Sequence, residues 1–401
     1  INLSGFCPQN GLFDGIETVS LQYFREPDTL LGTRAPERIT MRRIAFLSFA
    51  VVVLLAAPAA AQEPPGSASM KTQEPTHFDV SPPLRDILPI PPVLEANRLV
   101  PEFEPPEGTY NLHIDVLQPS APTPHIVQTW YGSGPMPALD TNFEGVGEGI
   151  SGYTVQVAPP DTQGDVGPNY YVQWVNLDFA IFDKSSGALV YGPAAGKTLW
   201  SDFGGICESR NDGDPIVKYD QLAGRWVMTQ FAIDQDNDEY AQCIAVSQTH
   251  DPLGSWYRYS YSFDNLNDYP KLAVWPDGYY ISYNMFEKVS GGYSYAGAVL
   301  CVYDRDVMLT GLPASSQCTW PNPSFFSYLP SDLDGSTNPP AGANNYVMAL
   351  GTNDQLLFWN LHIDWGDPGN SFITDPPTPI SVAAFTEECQ AYYRNACIPQ
   401  G

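Results

Sequence analysis

The sequence predicts an all-β fold of about four antiparallel sheets, arranged as the blades of a β-propeller whose ring is incomplete. The first observation is a hairpin pattern, clearest in residues 213–231, in which an apolar strand, a turn and a second strand follow one another. The pattern returns in 268–284, and weaker copies occupy 165–176 and 341–353. The aromatic residues that follow the turns are Tyr170, Trp226, Tyr279 and Tyr346, at spacings of 56, 53 and 67. Strand signals that recur with such a period are typical of four-stranded blades.

A second, independent pattern supports this period. Each hairpin is followed by a further strand and turn, near Asp183, Gln248, Asp304 and Asn360, and these positions are 65, 56 and 56 residues apart. A β-sandwich also spaces short strands regularly, so it is the alternative fold.

The N-terminal part predicts export from the cell. Residues 41–61 combine basic residues after Met41, an apolar run and a closing Ala-rich stretch, which form a secretory signal peptide. Cleavage is expected before Gln62, and residues 1–40 are interpreted as an over-extended reading frame. No later segment approaches the roughly 18 apolar residues that a membrane helix needs. The sequence thus predicts a secreted, periplasmic or cell-surface bacterial protein with no integral membrane span.

Two regions follow the signal peptide. Residues 62–141 are rich in proline and are predicted to form an extended segment, parts of which dock on the body through interspersed apolar residues. The β-propeller-like domain is placed at 142–401.

Six cysteines follow residue 61, an even number that suits disulfides in an oxidising compartment. Nearest-neighbour pairing joins Cys207 to Cys243, Cys301 to Cys318 and Cys389 to Cys397, although the sequence alone allows other connectivities. A zinc site is the competing interpretation, but the chain contains no CxxC motif.

The chain is strongly acidic, with a formal net charge of −27. Such a field repels nucleic acid and anionic lipid and attracts cations. The charge therefore argues against nucleic acid as a partner, while most of the carboxylates are expected on solvated loop tips.

Several segments carry a resemblance to a known family. They are PPDTQGDVGPNYYVQWVN from Pro159, FAIFDKSSG, GDPIVKYDQLAGRWVMTQF, SQTHDPLGSW and DYPKLAVWPDGYY. Over residues 142–401 the chain resembles secreted bacterial β-propeller proteins described as sialidase-like or glycosyl-hydrolase-like. The resemblance implies a function directed at glycans. It also implies further blades after residues 397–400, so that this chain looks C-terminally truncated.

True sialidase chemistry needs an arginine cluster for the substrate carboxylate and a tyrosine nucleophile activated by a glutamate. Only seven arginines follow residue 61, and the segment 249–256 has one residue more than the Asp-box of sialidases. These departures weigh against a true sialidase.

Three acids are the catalytic candidates. Asp165, Asp214 and Asp268 stand at matching places in three of the repeats. Two carboxylates brought together by inner strands could serve as acid and as base or nucleophile in glycoside hydrolysis. Each aspartate could instead cap its own turn by accepting backbone N–H bonds.

The loop 234–238 is the candidate metal site. Asp234, Asp236 and Asp238 alternate as in loops that bind hard cations, so the sequence predicts Ca²⁺ as a ligand. An EF-hand is excluded because Glu239 replaces the glycine at its sixth position. A solvated hairpin tip is the alternative.

Three aromatic residues are candidates for sugar-stacking platforms: Trp174, Trp275 and Tyr257. Alternating aromatic residues in strands also serve to pack blades against each other, which is the competing interpretation.

The sequence therefore predicts a protein that acts on or binds extracellular glycans or glycoproteins, with glycoside hydrolysis as the enzymatic possibility. The alternative is a non-catalytic adhesion or structural propeller, stabilised by Ca²⁺ and located at the cell surface. A convergent carboxylate pair would favour the enzyme.

Overall fold

The computed structural model describes residues 67–92 and 141–384, except for 148, 155, 158, 336, 352 and 353. The proposed leading extension (1–40), the signal peptide (41–61) and the predicted pair Cys389–Cys397 lie outside this part. The described residues are almost entirely β, with two short helices, α1 (Gly205–Ser209) and α2 (Arg305–Met308). None of these helices is long and apolar enough to cross a membrane.

Four antiparallel sheets follow one another along the chain, as the sequence predicts. Three short strands precede them: β1 (Ser67–Ser69), β2 (Lys71–Gln73) and β3 (His77–Val80). Sheet 1 contains β4 (Gln163–Val166), β5 (Tyr170–Val175), β6 (Asp178–Asp183) and β7 (Leu189–Ala195). Sheet 2 contains β8 (Ile216–Asp220), β9 (Arg225–Asp234), β10 (Glu239–Ser247) and β11 (Trp256–Phe263). Sheet 3 contains β12 (Leu266–Trp275), β13 (Gly278–Val289), β14 (Gly292–Tyr303) and β15 (Ser316–Cys318). Sheet 4 contains β16 (Leu329–Pro330), β17 (Asn345–Leu350), β18 (Gln355–His362), β19 (Phe372–Thr374) and β20 (Thr378–Ser381).

The sequence repeat coincides with the first hairpin of each sheet. The four aromatic residues that follow the turns lie at the start of the second strand of their sheets, namely β5, β9, β13 and β17. The prediction of about four successive antiparallel blades is therefore confirmed.

Each sheet packs its apolar face against the next sheet in the chain. One buried cluster joins sheets 1 and 2, for example through Trp174 and Trp226, and a second joins sheets 2 and 3 through Tyr261 and Tyr303. A third cluster joins sheets 3 and 4 around Trp359. Because sheets 2 and 3 are covered on both faces, their strands are nearly continuously apolar, as blades between two neighbours require. No hydrophobic cluster made only of described residues joins sheet 4 to sheet 1.

The first strand of each sheet is the innermost one. Contacts run between β4 and β8, between β8 and β12, and between β12 and β16. Side chains near the beginnings of these four strands are therefore brought toward a common axis, which is where residues from different repeats can meet.

Part of the Pro-rich segment, residues 67–90, runs along the outer edges of the sheets, and we call it the outer strap. It visits the sheets in reverse order, with β1 pairing with β19, β2 with β15 and β3 with β11. The carbonyl of Ile90 then accepts a hydrogen bond from Ala195 of sheet 1 (2.8 Å). This part of the segment thus docks on the body, and it covers outer strand edges that would otherwise be free to pair with other chains.

Two of the three predicted disulfides are formed. Cys207 of α1 is bonded to Cys243 of β10, and Cys301 of β14 is bonded to Cys318 of β15. The second bond closes a cross-strand pair, because Cys301 and Cys318 lie directly opposite each other in sheet 3. Both bonds suit an oxidising compartment.

Candidate functional site

Three aspartates lie at the beginnings of the innermost strands of sheets 1, 2 and 3. Asp161 and Asp214 each precede their strand by two residues, and Asp268 is the third residue of β12. The charges of Asp161 and Asp268 both raise the pKa of Asp214, so the three carboxyls lie within electrostatic reach of one another. We call Asp161, Asp214 and Asp268, together with Tyr269 and Lys271, the axial cluster.

A single backbone donor links two of these carboxyls. The N–H of Tyr269 donates to Asp268 Oδ1 (2.8 Å), and it lies near enough to the Asp214 carboxyl to lower its pKa. Asp214 of sheet 2 and Asp268 of sheet 3 therefore meet at one peptide group, although 54 residues separate them in the chain.

A β-bulge places Lys271 beside Asp268. In a regular strand, residues three apart point to opposite faces of the sheet. In β12 the register shifts, so that Asp268 lies opposite Asn284 whereas Lys271 lies opposite Ser282. Because Asn284 and Ser282 are two apart on β13, Asp268 and Lys271 share one face. The bulge therefore places the Asp268 carboxylate and the Lys271 ammonium on the same face of the sheet, which the regular alternation of side chains in a strand would not do.

Asn176 lies between Asp161 of sheet 1 and Gly213, the residue before Asp214 of sheet 2. Its Nδ2 donates to Asp161 Oδ2 (2.6 Å) and to the carbonyl of Pro159 (3.0 Å). Gly213 lies so close to Asn176 that an added Cβ would be 2.4 Å from its Oδ1. A side chain at Gly213 would therefore collide with the amide of Asn176 that binds Asp161, and the left-handed φ of 97° would add backbone strain.

The backbone of the axial cluster is strained. Asp161, Asp214 and Tyr269 adopt left-handed φ angles of 37°, 43° and 53°. Such conformations are uncommon for residues other than glycine and cost on the order of 1–3 kcal/mol each. Strain of this kind concentrates where surrounding structure fixes side chains for a function.

Burial raises the pKa of the three carboxyls of the axial cluster above that of an ordinary aspartate. Burial, reinforced by the charges of Asp268 and Asp161, raises the pKa of Asp214 to about 7. Burial raises the pKa of Asp268 to about 6, against the lowering effects of its hydrogen bond from Tyr269 and the charge of Lys271. Both carboxyls therefore keep a proton to a higher pH than an ordinary aspartate does, and near neutral pH such a pair can hold one proton and offer both an acid and a base.

Lys271 is the cation of this cluster. Burial lowers its pKa to about 8, although the charges of Asp214, Asp161 and Asp268 oppose that change. Its ammonium lies 3.2 Å from the centroid of the Tyr269 ring and donates to the carbonyl of Pro270 (3.0 Å). The side chain of Tyr269 is half exposed, with 50% of the residue accessible, so the ring borders both the carboxyls and solvent.

The structure does not bring Asp165 into the axial cluster. Its Oδ2 accepts from the N–H of Tyr219 (2.6 Å) on β8, and its charge neighbours are Lys218 and Asp332. Asp332, which follows β16, accepts from the N–H of Val274 (2.8 Å) on β12 and pairs with Lys218. These contacts connect the inner strands of all four sheets, so Asp165 lies where it stabilises the packing of the blades.

Asp161 is the sheet 1 counterpart that the sequence comparison missed. The similarity between GDV at Asp165 and GDP at Asp214 aligns these two acids, whereas in the structure Asp161 and Asp214 hold the equivalent positions, each two residues before its strand. Spacing was the available signal: Asp161 lies nine residues before Tyr170, whereas Asp214 and Asp268 lie twelve and eleven before their aromatic residues and Asp165 only five. Lys271 and Tyr269 were also missed, because their placement depends on the bulge.

The acidic loop 234–238 is engaged by basic side chains. Asp234 pairs with Arg210 and also accepts from Asn237 (3.1 Å), and Asp238 accepts from Lys288 (2.5 Å). Among the described residues, no group of three or more histidine, cysteine, aspartate or glutamate side chains has a geometry that could hold a metal ion. Ca²⁺ binding by Asp234, Asp236 and Asp238 stays a prediction, and it would require the ion to displace Arg210 and Lys288.

The predicted sugar platforms Trp174 and Trp275 are packing residues instead. Trp174 is fully buried and Trp275 is 5% exposed, and both belong to clusters between neighbouring sheets. Neither ring offers a face to a ligand, so this prediction is wrong for both. Tyr257 is partly buried on β11, opposite Val80 of the outer strap and against Gly311, away from the inner strands.

Comparison with known proteins adds distant structural similarities. No protein-family model and no curated protein sequence matches the chain. An exo-β-1,3-galactanase of Clostridium thermocellum is similar with 14% identity and a TM-score of 0.31, over 57% of this chain and 49% of that chain. An arabinanase of Bacillus subtilis is similar with 11% identity and a TM-score of 0.27, over 57% of this chain and 81% of that chain. The chain spans about half the length of the first protein.

Proposed function

We propose that the protein is a glycoside hydrolase of extracellular glycans whose reaction takes place at the axial cluster. The observation that supports this most is the meeting of Asp214 and Asp268, from two different sheets, at the N–H of Tyr269. Glycoside hydrolysis uses two carboxyl groups, one of which protonates the leaving oxygen while the other acts as base or nucleophile. Asp214, with its pKa raised to about 7, suits the acid, and Asp268 suits the ionised partner.

Asp161 and Lys271 have supporting roles in this proposal. The charge of Asp161 raises the pKa of Asp214 and so helps that carboxyl to keep the proton it must donate. The charge of Lys271 lowers the pKa of Asp268, which favours its ionised form. Asp161 also raises the pKa of Asp268, and Lys271 also lowers that of Asp214, so these two residues together set the pH range in which the pair of carboxyls titrates.

Secretion and a glycan partner remain part of the proposal. The signal peptide at 41–61 is a prediction from the sequence, and the two disulfides are compatible with the oxidising compartment to which it leads. The alternative is a non-catalytic adhesion or structural propeller. Asp165 and Asp332 accept backbone hydrogen bonds from neighbouring inner strands. This observation favours the alternative, because it means that carboxylates near the axis can have a purely structural role.

Replacing either member of the pair tests the proposal. We expect Asp214→Asn and Asp268→Asn each to lower kcat/KM by about 10²–10⁴-fold, because each removes a proton-transfer group or nucleophile. The measurement is hydrolysis of a panel of aryl glycosides and oligosaccharides by the full chain. Asp165→Asn is the matched control, and its folded fraction should keep wild-type kcat/KM. An equal loss in the control, or no hydrolysis of any substrate by the wild type, would support the non-catalytic alternative.

The pH dependence provides a second test. We expect kcat/KM of the wild type to rise as Asp268 ionises near pH 6 and to fall as Asp214 loses its proton near pH 7. Because Lys271 lowers the pKa of both carboxyls, Lys271→Met should move both limbs of the profile to higher pH. Lys218→Met is the control, since Lys218 pairs with Asp332. Equal displacement of the profile in both variants would contradict the assignment of Lys271.

A further inference from the structure

Tyr269 differs from the other aromatic residues that surround the inner strands. The neighbouring aromatic side chains of sheets 2 and 3, such as Trp226 and Tyr283, are buried between blades. Tyr269 is 50% exposed. It follows Asp268 in the bulge of β12, and its ring lies beside the ammonium of Lys271. Exposure of a large ring within the innermost strand costs apolar burial, so it is a feature that packing does not explain.

The ring is also held in place. The ammonium of Lys271 lies 3.2 Å from its centroid, and the same ammonium donates to the carbonyl of Pro270. The left-handed backbone at Tyr269 (φ 53°) directs the peptide N–H to the carboxyls of Asp268 and Asp214. The ammonium covers one face of the ring, and burial and the charges of Asp214, Asp161 and Asp268 all raise the pKa of the Tyr269 hydroxyl, so the exposed part of the ring lies near these carboxyls. Rigid aromatic surfaces with few polar partners are the usual way in which pockets orient a ligand that has an apolar face.

The charges around the ring restrict what can bind there. The cluster combines three carboxyls with Lys271, whose charge interacts with all three. The charge of the ammonium is therefore already balanced by these carboxyls. The net charge of −27 of the chain adds a field that repels anions. A substrate carboxylate would need a guanidinium or ammonium partner of its own. The cation that lowers the pKa of all three carboxyls is Lys271.

We propose that Tyr269 is the stacking surface for a sugar ring at the axial cluster, and that the ligand is a neutral oligosaccharide and not a sialylated or uronic-acid glycan. This inference rests on the proposed function for the location of the site. It concerns binding, so it can be tested separately from hydrolysis.

Binding is measured with the full chain carrying Asp214→Asn, so that turnover does not consume the probe. The neutral probes are cellotetraose, xylotetraose, mannotetraose and chitotetraose. The acidic probes are tetragalacturonate and 3′-sialyllactose. Each probe is titrated by calorimetry at pH 6.5. We expect at least one neutral probe to bind about tenfold or more tightly than both acidic probes, and Tyr269→Asn to weaken its binding about tenfold or more. Asparagine is chosen because it tolerates a left-handed backbone, so the variant removes the ring without adding strain.

Two variants separate stacking from general damage. Tyr269→Phe keeps the ring and should bind within about threefold of the parent. Tyr346→Ala removes another exposed ring, which stacks on Phe358 in sheet 4, and should leave binding unchanged. Tighter binding of an acidic probe, no binding of any probe, or equal losses in Tyr269→Asn and Tyr346→Ala would overturn the inference. Ring-dependent binding without hydrolysis by the wild type would sustain the inference and refute the proposed catalysis.

Discussion

Replacing Arg305 with leucine is expected to lower the free energy of unfolding by about 3–5 kcal/mol, because the variant leaves a charge buried without its counter-ion. Arg305 of α2 donates to both oxygens of Asp220, through Nε (2.7 Å) and Nη2 (3.1 Å). Asp220 ends β8 of sheet 2 and is fully buried, and the hydroxyl of Tyr279 in sheet 3 also donates to it (2.8 Å). The pair therefore locks two blades together at a place that water does not reach.

The measurement is the urea midpoint of the full chain, with wild type and variant compared under the same conditions. Lys288→Met is the control: its ion pair with Asp238 is exposed, so its loss should change stability by at most about 1 kcal/mol. The double variant Asp220→Asn with Arg305→Leu should be more stable than Arg305→Leu alone, because the unpaired charge is gone. A midpoint for Arg305→Leu that matches the Lys288→Met midpoint would contradict this account.

The repeating part of the fold was predictable because it is local in sequence. The first hairpin of each sheet carries its own turn and its own aromatic residue, so Trp226 and Tyr279 could be aligned without any knowledge of contacts. The pairing of Cys207 with Cys243 was accessible for the same reason, since both residues flank one hairpin. Features that lie within one blade leave a pattern in the sequence.

The axial cluster was only partly predictable because it depends on relations between blades. Asp214 and Asp268 were found from the repeat, but the choice between Asp161 and Asp165 depends on which carboxyl accepts the N–H of Tyr219. Lys271 shares a face with Asp268 only because of the bulge in β12, which the alternation of side chains does not indicate. The burial of Trp174 likewise follows from the neighbouring sheet, and no property of its own strand distinguishes it from a surface aromatic.

The outer strap was the least predictable element, because its partners are far away in the chain. Its strands are only three or four residues long, and each pairs with a strand from a different sheet. Proline-rich sequence indicates an extended backbone, but it does not indicate which edge that backbone will follow. The buried side chain of Leu84 and the pairing of Asp79 are what make this segment part of the folded unit.

Replacing Asp79 with alanine is expected to destabilise the protein by about 2–3 kcal/mol, somewhat less than a fully buried ion pair would, because Asp79 is partly accessible to solvent. Asp79 on β3 accepts from Nε (2.8 Å) and Nη2 (2.6 Å) of Arg258 on β11. The Arg258 side chain is 1% exposed, and its remaining nitrogen, Nη1, donates to the carbonyls of Leu199 (3.0 Å) and Ser201 (2.9 Å). Without Asp79, the guanidinium must either stay buried with two unmatched nitrogens or displace the strap to reach water.

The two outcomes for the guanidinium can be distinguished by combining the urea midpoint with limited proteolysis of the strap. Asp86→Ala is the matched control, because Asp86 is an exposed acid on the same strap. We expect Asp79→Ala to lower the midpoint and to speed cleavage within residues 67–90, whereas Asp86→Ala should change neither. A lower midpoint with unchanged cleavage would mean that the Arg258 guanidinium stays buried without its partner while the strap stays docked. If Asp79→Ala matched the control in both measurements, the ion pair would not be what holds the strap against sheet 2, and the backbone pairing of β3 with β11 would have to suffice.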